Sequence, residues 1–249
     1  MVGTFFRNGC LAPQSSMPVK PPVHKKVVVD HSAIDRVAFA DWYRFGSGTE
    51  HAAPLVIYFG GSISTAVYDA RLDTEPLSLV DLFESARAGS GVDSVDLLVV
   101  PCPPIGRACP DFRSKIQVLV LEELLRRTPN PEPGHVAMLG NSAGAHIAAM
   151  LAFELERVRA LATLGAVGLV EAADESELRL FAGKRYKSFA NEDDPCSKYT
   201  HQFWEAMILR GIAVDVIERA GGHAFEDYVA NGSVHDAFAW LLATLSRCA

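Results

Sequence analysis

The chain has 249 residues, of which 49% are hydrophobic and 21% are charged, and its formal net charge is −7. This composition is ordinary for a globular protein with a substantial core, and the negative charge disfavours nucleic acid as a partner. No apolar run approaches the roughly 20 residues that span a bilayer, so the sequence predicts no membrane partner.

The first 24 residues form a leader rich in proline and serine, which we expect to be loosely ordered. This leader lacks a charged start followed by a long apolar segment, so it does not resemble a secretory signal. Residues 25–249 are expected to form a single domain.

After the leader, apolar runs of the buried-strand type alternate with amphipathic segments. Strands are predicted at 25–30, 37–45, 54–61, 94–101, 135–140, 159–168, 184–191 and 212–220, and helices at 75–88, 113–128, 143–156, 198–211 and 234–247. This alternation predicts an α/β fold, in which a mostly parallel twisted sheet of about eight strands has helices on both faces. Since such sheets bind ligands beyond the carboxyl ends of their strands, we expect the chemistry in loops that follow strands.

A serine lies between two glycines in Gly140-Asn141-Ser142-Ala143-Gly144, where an apolar strand ends and an alanine-rich helix begins. A nucleophilic serine must project clear of the backbone, and a strained strand-to-helix turn achieves this. Small residues two positions before and after it let neighbouring backbone pass close. The alternative is a close-packing turn in which Ser142 has no catalytic role. A candidate base and a candidate carboxylate at the same edge of the sheet would favour the nucleophile.

His223 is the candidate base among eight histidines. It follows the last predicted strand in RAGGHAF, on the carboxyl-end side where Ser142 lies, and two glycines let this loop turn sharply. His235, at the start of the last helix, is the alternative base. The other histidines flank or precede strands or fall within helices, where packing or a surface position explains them.

The acidic turn NEDDP at 191–195 follows the strand before the histidine loop and offers Glu192, Asp193 and Asp194. The resulting chain order of serine, acid and histidine favours a catalytic role over a merely solvated turn. Asp194 is the favoured carboxylate because Pro195 fixes the backbone directly after it, and Asp193 stays an alternative.

A tetrahedral oxyanion also needs preorganised N–H donors. One donor is Ala143, directly after the serine, and the second is expected in YFGGSIS at 58–64, from Gly61 or Ser62. The alternative for this segment is an ordinary Gly-Gly turn.

These four segments together resemble the α/β-hydrolase superfamily over roughly residues 25–247. GNSAG corresponds to the family's nucleophile elbow, and FGGS corresponds to its His-Gly-Gly-Gly oxyanion segment. NEDDP corresponds to the acid turn and GGHAF to the histidine loop. GNSAGAHIAAM is similar to the elbows of small esterases and kynurenine-formamidase-like enzymes, which commonly run GHSAGAHLA. Phe59 and Asn141 each replace a histidine of the family pattern, and neither change removes a backbone donor.

The resemblance implies a serine hydrolase that cleaves a carboxylic ester of a small acyl substrate without a metal or organic cofactor. Ser142 would attack the carbonyl, His223 would take its proton, and Asp194 would hold the imidazole. The alternatives are an acyltransferase, a thioesterase or an arylformamidase with the same residues, and a non-catalytic binding protein with this fold.

Many members of the superfamily insert a lid at the position that corresponds here to the interval between the strand ending near Gly168 and the strand starting near Lys184. Here this interval holds only VEAADESELRLFAGK, so we predict a minimal lid or none. We expect the proline-rich loop at 101–112 to form one wall of the site. Phe59 and Phe225 are candidates to line an acyl or aryl pocket, with core packing as the alternative for each.

Five dispersed cysteines, an odd number without a CxxC pair, favour reduced thiols in a cytoplasmic protein over a disulfide framework or a zinc site. Cys102 and Cys109 bracket most of the proline-rich loop, so a pairing between them is the alternative.

Overall fold

The structure, a computed structural model, describes residues 21–29, 38–46, 53–62, 77–102, 115–130, 133, 135–165 and 183–247. Most of the predicted leader, of the expected lid interval and of the proline-rich loop lies outside these residues. No helix among the described residues is both long and apolar enough to cross a bilayer.

Eight strands form one sheet. They are Val23–Val29 (β1), Ala38–Phe45 (β2), Leu55–Ser62 (β3), Val95–Cys102 (β4), Val136–Asn141 (β5), Val158–Leu164 (β6), Arg185–Asn191 (β7) and Val214–Arg219 (β8). Their order across the sheet is β1-β2-β4-β3-β5-β6-β7-β8. Strand β2 runs antiparallel to β1 and β4, and the pairs from β4 across to β8 are parallel. The predicted, mostly parallel α/β sheet is therefore confirmed.

Six helices among the described residues cover the two faces. They are Leu77–Ser90 (α1), Lys115–Arg127 (α2), Ala143–Glu154 (α3), Ser197–Leu209 (α4), Phe225–Ala230 (α5) and Ser233–Leu245 (α6). Helices α2, α3 and α4 contribute to one hydrophobic core, and α1, α5 and α6 contribute to the other. The central strands are apolar throughout because they are covered on both sides.

The sequence placed every described strand, but two details differ. Strand β6 ends at Leu164, before the predicted end at 168, because Gly165 turns the chain with a φ of 74°. Helix α5 was not predicted, since six residues are too short to show a helical repeat of apolar positions.

This topology brings several loops to one edge of the sheet. Strands β3, β5, β6, β7 and β8 are parallel, so their carboxyl ends meet there. Ser142 directly follows β5, Asp194 follows β7 and His223 follows β8. The edge therefore gathers residues that lie far apart in the sequence.

Candidate active site

Ser142 occupies a strained backbone position between β5 and α3. Its φ is 51° and its ψ is −117°, and it is the only non-glycine residue with a positive φ in the described part of the chain. The serine N–H donates to the carbonyl of Leu164 at 2.9 Å, which ties the turn to β6. Strain of this kind persists only where the surrounding structure holds it, and here the hydroxyl lies beside His223.

The two glycines of the turn lie against neighbouring backbone. A Cβ at Gly140 would lie 2.4 Å from Cα of Ala145, and a Cβ at Gly144 would lie 2.2 Å from the carbonyl oxygen of Phe59. No real Cβ tolerates such distances, so both positions require glycine. The turn is therefore both a close-packing turn and one that presents a serine.

Ser142, His223 and Asp194 form a continuous hydrogen-bonded chain. Oγ of Ser142 lies 2.9 Å from Nε2 of His223. Nδ1 of His223 lies 2.9 Å from Oδ2 of Asp194. Contacts of this length let the imidazole take the serine proton on one side while the carboxylate orients it on the other.

Asp194 is almost completely buried, and each carboxylate oxygen has a partner besides His223. The backbone N–H of Cys196 donates to Oδ1 at 2.7 Å, and the hydroxyl of Tyr228 donates to Oδ2 at 3.0 Å. Burial, together with the nearby charge of Asp194, raises the pKa of Tyr228, so its hydroxyl stays protonated and available as a donor. Asp193, by contrast, is exposed to solvent. The structure thus places Asp194, and not Asp193, against the imidazole.

A chain of side-chain amides holds the histidine loop. The amide of Asn231 donates to Oδ1 of Asn191 at 2.8 Å, and the amide of Asn191 donates to the carbonyl of Gly222, also at 2.8 Å. Gly221 has a φ of 139°, and a Cβ there would lie 2.9 Å from Nδ2 of Asn191. The loop therefore needs glycine at 221, and the amides fix the backbone that carries His223.

The end of β3 lies beside the serine. A Cβ at Gly61 would meet Oδ1 of Asn141 at 2.9 Å and Cβ of Ser142 at 3.5 Å. Ala143 directly follows the serine as the first residue of α3, and Ser62 ends β3, one residue beyond Gly61. Gly61 and Ala143 thus adjoin Ser142 from two elements.

The two aromatic residues predicted to line a pocket have different positions. Phe59 is only 4% exposed and belongs to the core on the α2–α4 side. Core packing therefore accounts for Phe59, and the expectation that it lines the pocket is not supported by its position. Phe225, the first residue of α5, is partly buried, and its ring centroid lies 5.9 Å from that of Tyr58.

The alternative base does not reach the serine through a comparable network. Nδ1 of His235 lies 3.5 Å from the neighbouring Asp236, whose carboxylate also accepts from Arg219. His146, in the first turn of α3, has a pKa lowered to about 4 by burial, so it stays neutral near pH 7.

Sequence reasoning missed three residues that surround the acid and the histidine loop: Tyr228, Cys196 and Asn191. Cys196 follows Asp194 by two positions, a spacing typical of a turn in which an aspartate accepts from the backbone, and this signal was available. Burial, together with the nearby charge of Asp194, raises the pKa of the Cys196 thiol.

Neither a protein-family model nor a curated protein sequence matches the chain. Solved structures do resemble it. A ferulic acid esterase has a TM-score of 0.66 at 13% identity, over 91% of this chain and 98% of that one. A fluorophosphonate-binding serine hydrolase of Staphylococcus aureus has a TM-score of 0.64 at 9% identity, over 90% and 99%.

The S-formylglutathione hydrolase of Staphylococcus aureus has a TM-score of 0.61 at 8% identity, over 90% of this chain and 100% of that one. Each likeness covers nearly the whole of both chains. At such low identities it establishes the architecture alone. The chain therefore has the α/β-hydrolase fold.

Proposed function

We propose that the chain is a serine hydrolase that cleaves a carboxylic ester, or a related acyl bond, of a small substrate through an acyl-enzyme. The observation that carries the proposal is the 2.9 Å contact between Oγ of Ser142 and Nε2 of His223, with Asp194 behind the imidazole. A strained serine at the start of a helix, in contact with a histidine that is itself oriented by a buried carboxylate, is the arrangement that activates a hydroxyl nucleophile.

In this mechanism His223 accepts the proton of Ser142 as Oγ attacks the carbonyl carbon. The N–H groups of Ala143 and of Gly61 or Ser62 hold the oxyanion. His223 then donates its proton to the leaving alcohol, which leaves the acyl group on Oγ. Water, activated by the same imidazole, attacks this acyl-enzyme and restores the serine.

The structural neighbours supply the substrate class that we test first. They include a ferulic acid esterase, whose name denotes an ester substrate, and an S-formylglutathione hydrolase, whose name denotes a thioester. We propose small carboxylic esters, and consider short-chain and aryl esters the best starting compounds. A thioesterase, an acyltransferase or an arylformamidase would use the same serine, histidine and aspartate with a different acyl donor or acceptor.

Reaction with a fluorophosphonate probe tests the nucleophile directly. The wild-type protein is expected to be labelled at Ser142, and Ser142→Ala is expected to remain unlabelled while its circular dichroism spectrum is unchanged. An intact wild-type protein that does not react would favour the non-catalytic binding protein. A substrate panel then separates the esterase, thioesterase, arylformamidase and acyltransferase activities. It contains esters of increasing acyl length, aryl esters, N-formylkynurenine and acyl thioesters, each tested with and without an alcohol acceptor.

A further inference from the structure

A third metal-ligating side chain lies against the hydrogen-bonded pair of Asp194 and His223. The thiol of Cys196, a carboxylate oxygen of Asp194 and a ring nitrogen of His223 all lie within 4.8 Å of one another. Asp194 is buried, whereas Cys196 and His223 are partly exposed, so an ion can reach the cluster from solvent. The proposed mechanism uses the carboxylate and the imidazole but gives the thiol no role.

We propose that Asp194, Cys196 and His223 bind a thiophilic divalent cation, Zn²⁺ or Cd²⁺, and that this binding inhibits the enzyme. One oxygen, one sulfur and one nitrogen ligand, with water as the fourth, match the four-coordinate preference of zinc. Magnesium and calcium prefer oxygen ligands throughout, so the donor set selects against them. The inhibition rests on the proposed function, whereas the binding does not.

Small movements suffice to close the site around an ion. Nδ1 of His223 and Oδ2 of Asp194 are 2.9 Å apart. Metal–ligand bonds of about 2.0–2.2 Å place neighbouring tetrahedral ligands roughly 3.3 Å apart, so this pair must separate by only about half an ångström. The backbone N–H of Cys196 already donates to the same carboxylate, and its sulfur lies within 4.8 Å of the other two ligand atoms.

The proposed inhibition follows from the proton balance on the imidazole. Coordination displaces the thiol proton of Cys196 to solvent. The metal takes the place of the proton on Nδ1 of His223, and that proton passes to Nε2. Since Nε2 then carries a proton, it can no longer accept the one that Ser142 must lose, and the Asp194 hydrogen bond that orients the ring is gone.

Titration calorimetry of the tag-free protein with zinc chloride tests the binding without any reference to activity. The wild type is expected to show one site that Cys196→Ser weakens at least tenfold, because even the loss of a group that only orients a metal ligand typically costs about 10- to 100-fold. Cys248→Ser, which removes one of the other four thiols, is expected to leave this site intact. Magnesium chloride is expected to give no binding heat. Identical zinc isotherms for the wild type and Cys196→Ser would overturn the proposal.

Turnover measurements then test the inhibition. Zinc is expected to inhibit the wild type reversibly, with full recovery of turnover when a chelator is added. The zinc concentration that halves turnover is expected to be at least tenfold higher for Cys196→Ser. Each rate is divided by the metal-free rate of the same variant. A Cys196-dependent isotherm in a protein that hydrolyses no acyl substrate would contradict the proposed function and retain the metal site. Hydrolysis with a zinc response independent of Cys196 would retain the function and overturn the proposed inhibition at this site.

Discussion

The hydroxyl of Tyr228 donates a hydrogen bond to Oδ2 of Asp194 at 3.0 Å. The same oxygen lies 2.9 Å from Nδ1 of His223. Tyr228 is completely buried, and Gly165 packs so closely that an added Cβ would lie 3.0 Å from the tyrosine hydroxyl and 3.3 Å from that carboxylate oxygen. The carboxylate is therefore held from the side of α5 as well as from its own turn. We therefore propose that Tyr228 is a positioning residue, which acts on the imidazole through Asp194.

Replacement of Tyr228 by phenylalanine removes this donor and keeps the ring. Hydrogen bonds to charged groups contribute about 1.5–3 kcal/mol, and part of this is expected to be lost from the transition state. We expect kcat for ester hydrolysis to fall roughly tenfold with little change in KM, because the substrate does not touch the tyrosine.

Tyr186→Phe is the matched control for this variant. Tyr186 is also buried, but it belongs to the hydrophobic core opposite that of Tyr228, and its hydroxyl lies 2.9 Å from Oγ1 of Thr163. Its loss is expected to lower the free energy of unfolding by about 1 kcal/mol and to leave kcat unchanged. Equal kcat values for Tyr228→Phe and the wild type would show that the hydrogen bond has no effect on the reaction.

The two aspartates of the acidic turn provide a second comparison. Asp194 contacts His223 and is buried, whereas Asp193 is exposed. We expect Asp194→Asn to lower kcat/KM about 10³- to 10⁴-fold, because the amide no longer orients and stabilises the imidazolium. Asp193→Asn is expected to stay within twofold of the wild type, a limit of about 0.4 kcal/mol on the transition state. Steady-state kinetics of both variants measures the two losses. A larger loss of kcat/KM in Asp193→Asn than in Asp194→Asn would assign the role of the acid to Asp193.

The histidine assignment is tested in the same assay. We expect His223→Ala to lower kcat by about 10⁴-fold or more while His235→Ala keeps near wild-type turnover, since His223 contacts the serine hydroxyl and His235 lies beside Asp236. Thermal unfolding of both variants controls for loss of structure. Activity that survives in His223→Ala and disappears in His235→Ala would transfer the base to His235.

The sequence predicted the sheet and the candidate site because both depend on local signals. Apolar runs marked the strands, and glycines marked the turns that carry Ser142 and His223. Chain order then placed Asp194 between them, on the shared carboxyl edge. These signals need no knowledge of how helices pack on the sheet.

Features that depend on tertiary packing could not be predicted in this way. Tyr228 reaches Asp194 because the short helix α5 packs against α6 beside the turn that follows β7, and the sequence around the tyrosine does not indicate that contact. Phe59 illustrates the choice between a pocket position and core packing, which the sequence left open. It lies near the site in sequence, but the alternation of side chains along β3 directs it into the core.

The contact between α3 and β3 predicts a large effect from a single methyl group. In Gly144→Ala the new Cβ would lie 2.2 Å from the carbonyl oxygen of Phe59 and 2.4 Å from that of Gly60, and backbone atoms of a central strand cannot move cheaply. We expect the free energy of unfolding to fall by about 3 kcal/mol or more, measured by denaturant titration. Residual folded protein should have lost most of its activity.

Gly89→Ala is the matched control because it adds the same methyl group on a helix surface. No heavy atom lies within 4 Å of the added Cβ, and Gly89 is an exposed residue of α1. Alanine is favoured over glycine in helices by about 1 kcal/mol, so this variant is expected to be as stable as the wild type or slightly more stable. Similar stabilities of Gly144→Ala and Gly89→Ala would contradict the close contact.

The partly buried histidine at the start of α3 predicts a pH dependence of stability. Burial lowers the pKa of His146 to about 4, below the usual value near 6.5. Between these two values the unfolded chain binds a proton that the folded chain does not, so stability falls as the pH is lowered through this window and is unaffected above it. The largest loss is about 3 kcal/mol, because each unit of difference between the two pKa values corresponds to about 1.4 kcal/mol.

His146→Gln removes the titrating group. Its free energy of unfolding, measured in denaturant from about pH 7 to about pH 4.5, should therefore fall less steeply than that of the wild type. The values at about pH 7 serve as the control for any direct effect of the substitution, and parallel curves for the two proteins would show that His146 does not carry the proton linkage.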